Sequence, residues 1–159
     1  MEESRGCMLP VLTPLWLVCE DGHEYYERFL RFLSGEFAFE RVDHAKTLFC
    51  ALETTQVSGV LLDLDFRRTP DDELIDEQGR TPTAVPQAEK QRLAESQGIL
   101  ILRELRRRGH ATPVLLCADL EDPEQVRFLE TTLAPLSVSP SHESIAQIAD
   151  RLRVMGKGT

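Results

Sequence analysis

The stretch Gly59-Val60-Leu61-Leu62-Asp63-Leu64-Asp65-Phe66 decides how this chain is read. It is an apolar run of strand length that stops abruptly on two aspartates. Runs of this kind bury themselves in parallel sheets, where a carboxylate is costly unless something pairs with it. Either the strand has ended and the acids are solvated, or Asp63 has a task and needs partners elsewhere in the chain.

The rhythm on both sides of this run is that of an α/β protein. Residues 14–20 read as a buried strand ending at Glu20-Asp21-Gly22. Tyr26, Phe29, Leu30 and Leu33 recur at helical spacing, with Gly35 placed as a stop. Phe37 to Val42 alternates as a strand does, and Asp43 is expected to cap a helix carrying Ala45, Leu48, Phe49 and Leu52. After the quoted strand, residues 67–87 lose all periodicity. They carry Pro70, Pro82, Pro86 and the cluster Asp71-Asp72-Glu73, and read as a polar insertion contributing little to any apolar stripe, a mobile flap or docking arm. One helix is predicted from about Ala88 to Gly109, a buried strand from Pro113 to Ala118, and a helix opened by Asp122-Pro123. A short strand at 134–138 follows, then a last helix capped by Ser141 with the stripe Ile145, Ile148 and Leu152. Five strands alternating with five helices imply a parallel sheet covered on both faces.

Composition narrows the function classes. The chain has 159 residues, 42% of them hydrophobic, which suits one globular domain at 14–155 with an extension at 1–13 and a tail at 156–159. A net charge of −9 argues against a nucleic-acid partner, because phosphate neutralisation needs clustered Lys and Arg. The basic run Arg103 with Arg106-Arg107-Arg108 is expected to be the wet face of a helix. No apolar run has the ~20 residues of a membrane span. Cys7, Cys19, Cys50 and Cys117 form no C-x-x-C pair and no zinc spacing, so reduced thiols in a cytoplasmic protein are expected.

In an open parallel α/β sheet, ligands bind beyond the carboxyl ends of the strands, at the topological switch point. The strand ends here carry Glu20-Asp21, Asp63, Cys117-Ala118-Asp119 and Ser139-Pro140. If the first and third strands are neighbours, Glu20, Asp21 and Asp63 share one pocket. Such an oxygen-rich site suits Mg²⁺, which takes few carboxylates and keeps several waters.

These features together resemble the response-regulator receiver domain, the CheY-like phosphoacceptor module of two-component signalling. The acid pair Glu20-Asp21, Asp63 closing the third strand, Gly98-Ile-Leu-Ile-Leu-Arg-Glu-Leu-Arg106, Thr112-Pro-Val-Leu-Leu-Cys-Ala118 and Leu136-Ser-Val-Ser-Pro140 follow its motifs in order. The resemblance implies a three-layer flavodoxin-like fold, with a five-stranded parallel sheet of order 2-1-3-4-5. It implies that Asp63 is the phosphoacceptor. It further implies a weakly bound Mg²⁺ held by Asp21, by Glu20 through water, and by the backbone carbonyl of Asp65. The departures from the family are at least as informative. Cys117 stands where a hydroxyl residue receives the phosphoryl oxygen. Ser139 replaces the neutralising lysine, Leu136 the mobile aromatic, and Arg67 a proline. Arg67 and Arg68 are expected to be ordinary solvated loop residues, with the alternative that one of them folds over the pocket and supplies a replacement cation.

The resulting expectation is an atypical receiver, or pseudo-receiver, acting by protein–protein contact with impaired Asp63 phosphorylation. It would be no enzyme, and a stand-alone unit or a piece of a longer chain. A histidine kinase or a downstream effector is the expected partner, with a homodimer as a further assembly; the helix after Asp122 and the last strand form the expected docking face. One alternative is a working phosphoacceptor. A distant one is a haloacid-dehalogenase-type phosphohydrolase using the D-x-D pair Asp63 and Asp65, although that motif lies on a first strand and carries Thr or Val where Arg67 stands here. His23, His44, His110 and His142 fall at helix starts or in loops, without catalytic company.

Overall fold

In the computed structural model, residues 13–157 are described. Cys7, the first twelve residues of the expected extension and the last two of the tail lie outside them. The elements are β1 (Leu15–Cys19), α1 (Glu24–Leu33), β2 (Ala38–Val42), α2 (Ala45–Thr54), β3 (Gly59–Asp63), a 3-10 turn (Asp71–Glu73), α3 (Gln87–Glu95), α4 (Gln97–Arg107), β4 (Val114–Cys117), α5 (Pro123–Thr132), β5 (Leu136–Ser139) and α6 (Ile145–Lys157). All strand pairings are parallel and the order is β2-β1-β3-β4-β5, as expected. β3 is therefore the central strand.

The period of two along each strand divides the core. Trp16, Val18, Leu61, Leu115 and Cys117 face one side and pack with Phe29, Leu33, Ile148 and Leu152 of α1 and α6. Leu17, Cys19, Val60, Leu62 and Leu116 face the other, against Leu48 and Phe49 of α2, Ile101 and Leu105 of α4 and Leu129 of α5. Burial on both faces is why these strands read as unbroken apolar runs. Among the described residues no helix is long and apolar enough to cross a membrane.

Five local expectations need correction. The helix foreseen over 88–109 is two helices, because Ser96 leaves helical geometry (φ −116°, ψ 15°) and the chain restarts at Gln97. The reason is tertiary. The Gln97 carboxamide turns inward, accepting the Ile75 N–H (2.8 Å) and donating to the carbonyls of Ile75 (3.0 Å) and Leu93 (3.2 Å).

The connection between β3 and α3 also contributes to the core: Phe66, Leu74 and Ile75 are essentially fully buried. Its polarity hides two adjacent apolar residues too few to show a period. Polar contacts tie it down as well, with Lys90 on Asp71 (2.8 Å) and the Phe66 N–H on the Ala94 carbonyl (2.8 Å).

Arg106 is not a wet residue. Its guanidinium donates to the carbonyls of Leu133, His110, Thr112 and Pro135, pinning the end of α4 to the loops that enter β4 and β5. Arg107 and Arg108 pair instead with the buried Glu104.

Two caps are shifted. His44, not Asp43, is the cap residue of α2, and its N–H donates to Thr47 Oγ1 (3.3 Å). Ser144 caps α6, with the Gln147 N–H on its hydroxyl (3.2 Å), while Ser141 bonds Asp119 across the loop (2.6 Å). The Asp122 cap of α5 is as expected, accepting the Glu124 N–H (2.9 Å).

Candidate functional site

The parallel register aligns the strand ends in one row. Asp63 lies opposite Cys117, and Cys117 opposite Ser139. On the other side of Asp63, Cys19 pairs with Leu62, so Glu20 leaves β1 at the same level. Gly98, at the start of α4, closes the far side. A Cβ there would lie 2.2 Å from the Asp63 carbonyl oxygen and 2.7 Å from Leu64 Cα, so only glycine lets the helix reach the strand end. Its N–H donates to the Leu64 carbonyl (2.9 Å).

Beyond this row opens a hollow of about 360 Å³ lined by Asp21, Asp63, Asp65, Arg67 and Arg68. The structure thus brings together three of the four expected acids and both arginines. Glu20, Cys117, Ser139 and Leu136 are not among the lining residues.

Asp63 is half-buried and accepts the Leu64 N–H (2.8 Å). Burial raises its carboxyl to about 7; the Asp21 and Glu20 charges add to the rise, and backbone N–H groups oppose it. At neutral pH this acid is shared between its two protonation states.

Glu20 is buried and turned away, accepting the N–H groups of Tyr25 (3.1 Å) and Tyr26 (2.7 Å) at the start of α1. An anion at a helix N-terminus is favourable on its own account. Burial still raises its pKa above the ordinary glutamate value.

Asp21 is held by Arg68 twice, through the backbone N–H (2.8 Å) and through Nη2 (3.2 Å). The same guanidinium reaches Glu24 with both terminal nitrogens (3.0 and 3.1 Å). Asp65 is engaged by Arg67, through the N–H (3.0 Å) and Nε (2.7 Å).

These commitments bear on the expected magnesium ion. Mg²⁺ takes near-octahedral oxygen ligands, whereas Glu20 serves backbone N–H groups and Asp21 serves Arg68. Among the described residues no three acidic, histidine or cysteine side chains gather as a metal-holding group. As placed, the residues do not fit the ion.

The corner opposite Asp63 is closed. The buried Ser139 hydroxyl donates to Glu143 Oε1 (2.7 Å), and Glu143 forms a two-pronged pair with Arg151 (2.5 and 2.7 Å). Burial pushes the Cys117 thiol far above its ordinary value, so it offers no thiolate. Leu136 is half-buried.

The sequence reading did not foresee the Arg68–Asp21–Glu24 pairing, the Glu143–Arg151 lock or the Gln97 anchor. Arg68 had a weak signal as a cation beside an acid cluster. Glu143 had none, since its partners lie across a turn.

No family model matches the sequence, and neither does any curated protein. Solved structures do match in shape. The receiver domain of the Francisella response regulator 1452 aligns with a TM-score of 0.66 at 15% identity, over 91% of this chain and 98% of that one. The signal receiver domain of a putative Luxo repressor protein from Vibrio parahaemolyticus gives 0.65 at 12%, over 92% of each chain. The signal receiver domain of a histidine kinase from Syntrophus aciditrophicus gives 0.64 at 16%, again over 92% of each. With the strand order, the row of strand-end residues and the glycine-closed pocket already in view, this chain has the CheY-like fold of response-regulator receiver domains.

Proposed function

We propose that this protein is an atypical receiver that signals by docking to a protein partner, a histidine kinase or an effector, and whose Asp63 accepts a phosphoryl group slowly or not at all. One observation carries this reading. The position where the resemblance expects a lysine is Ser139, and its hydroxyl is bonded to the Glu143 carboxylate. An incoming phosphoryl group would add negative charge and meet no ammonium there. A charge-assisted hydrogen bond worth about 1.5–3 kcal/mol is missing from the phosphorylated state. Cys117 is a weak donor in place of a hydroxyl. The surface for docking lies beside β5, where α5 is joined through Glu130 to the Val138 N–H (3.0 Å) and presents Phe128 to solvent.

The test is incubation with acetyl phosphate and Mg²⁺, followed by intact-mass analysis. The unaltered protein should stay unmodified, and Ser139→Lys with Cys117→Thr should gain partial phosphorylation on Asp63. Stoichiometric phosphorylation of the unaltered protein within minutes would make it a working phosphoacceptor and end the pseudo-receiver reading.

A further inference from the structure

The acids of the hollow and the cation that balances them form a separate question from phosphorylation. The Asp21 side chain is only 5% exposed. A carboxylate so withdrawn from water needs a compensating charge. The residue that supplies it comes from the loop after β3, and it grips Asp21 in two ways. The backbone N–H of Arg68 takes one oxygen and the guanidinium takes the other. The guanidinium also spans to both oxygens of Glu24 on the first turn of α1, so one planar fork bridges two carboxylates from β1's exit loop and α1.

The backbone beneath the fork is a glycine. Gly22 lies between the two acids, and a Cβ there would sit 2.3 Å from Arg68 Nη2 and 2.3 Å from Glu24 Oε1. Its φ is not one that demands glycine, and a side chain there would meet the ends of both the guanidinium and the Glu24 carboxylate. Arg41 holds the carbonyl of Gly22 from the other side (2.5 Å), which fixes the floor on which the fork rests.

We propose that the Arg68 guanidinium is the resident cation of this hollow: it balances Asp21 and Glu24 in place of a divalent ion and makes the pocket a metal-independent one. The inference does not depend on whether Asp63 takes a phosphoryl group. An ammonium or guanidinium beside Asp21 repels an approaching dication by ordinary Coulomb interaction, and that repulsion disappears with the side chain.

The experiment is a titration of the full chain with Mn²⁺ and Mg²⁺. It is read by paramagnetic broadening of the amides near Asp21 and Asp63 and by calorimetry. The unaltered protein should show no site-specific binding at millimolar ion. Arg68→Ala should bind Mn²⁺ about tenfold or more tightly than the unaltered protein. Gly22→Ala, which crowds out the fork and leaves Arg68 in the chain, should shift binding in the same direction. Circular dichroism confirms that each variant is folded, and the two variants reach the same state by different routes. Equal binding by the unaltered protein and both variants would overturn the proposal, since the guanidinium would then exclude nothing. Absence of binding in all three would overturn it too, since the acids would then form no cation position for Arg68 to fill.

Discussion

Gln97→Ala tests whether the long polar connection after β3 is part of the fold. The Gln97 side chain is 1% exposed and makes three hydrogen bonds, two of them to the backbone of Ile75, itself 1% exposed. Truncation leaves the Ile75 N–H and carbonyl buried without partners. A buried group stripped of its hydrogen bond costs about 1–3 kcal/mol, so two of them, with some relaxation and water entry, amount to about 3–4 kcal/mol. A domain of this size has roughly 5–15 kcal/mol in total. The loss therefore approaches half of it. In urea, with a slope of about 2 kcal/mol per molar, the midpoint should fall by roughly 1.5–2 M. Native-state hydrogen exchange should show the Ile75 amide losing protection first. Gln97→Glu should do no better, because a carboxylate accepts the N–H but cannot donate to the two carbonyls. A loss below about 0.5 kcal/mol, the range of an ordinary surface substitution, would refute the reasoning and return residues 67–87 to the status of a dispensable insertion.

Two other outcomes follow from the site. The Asp63 carboxyl stands at about 7 in the folded chain against an ordinary 3.8, so between these values the folded state holds a proton that the unfolded state has released. Stability should therefore fall as pH rises from about 4 to 7 and stay lowered above. Asp63→Asn should flatten this slope and stabilise the protein by on the order of 2 kcal/mol at pH 8, checked by urea midpoints across pH; an unchanged slope would count against it. Gly98→Ala places a Cβ on the backbone of Asp63 and Leu64, and overpacking of this kind costs at least about 1–3 kcal/mol. The amide resonance of Leu64 should move with the lowered thermal midpoint, and a variant as stable as the parent with Leu64 unmoved would show that α4 has room to shift.

Much of this molecule could be read from local pattern. The run from Gly59 to Asp63, the alternation of strands and helices, the Asp122-Pro123 helix start and the placing of acids at strand ends all depend on residues adjacent in the chain. Periodicity and capping chemistry report such neighbours directly. The strand order followed from resemblance, and the pairing register bears it out.

What the tertiary structure decided is which distant side chains face one another. Nothing in spacing tells that Arg68 turns to Asp21 and Glu24, while its neighbour Arg67 turns to Asp65. Nothing tells that Ser139 meets Glu143, or that Arg106 gathers four carbonyls instead of facing water. The break at Ser96 belongs to the same group, because helix propensity around it is unexceptional and the inward turn of Gln97 toward Ile75 makes the difference. A charge or a carboxamide can satisfy itself with many partners, and spacing along the chain does not choose among them. The choice is made where the loops at the carboxyl edge of the sheet converge, and only the folded chain brings those loops together.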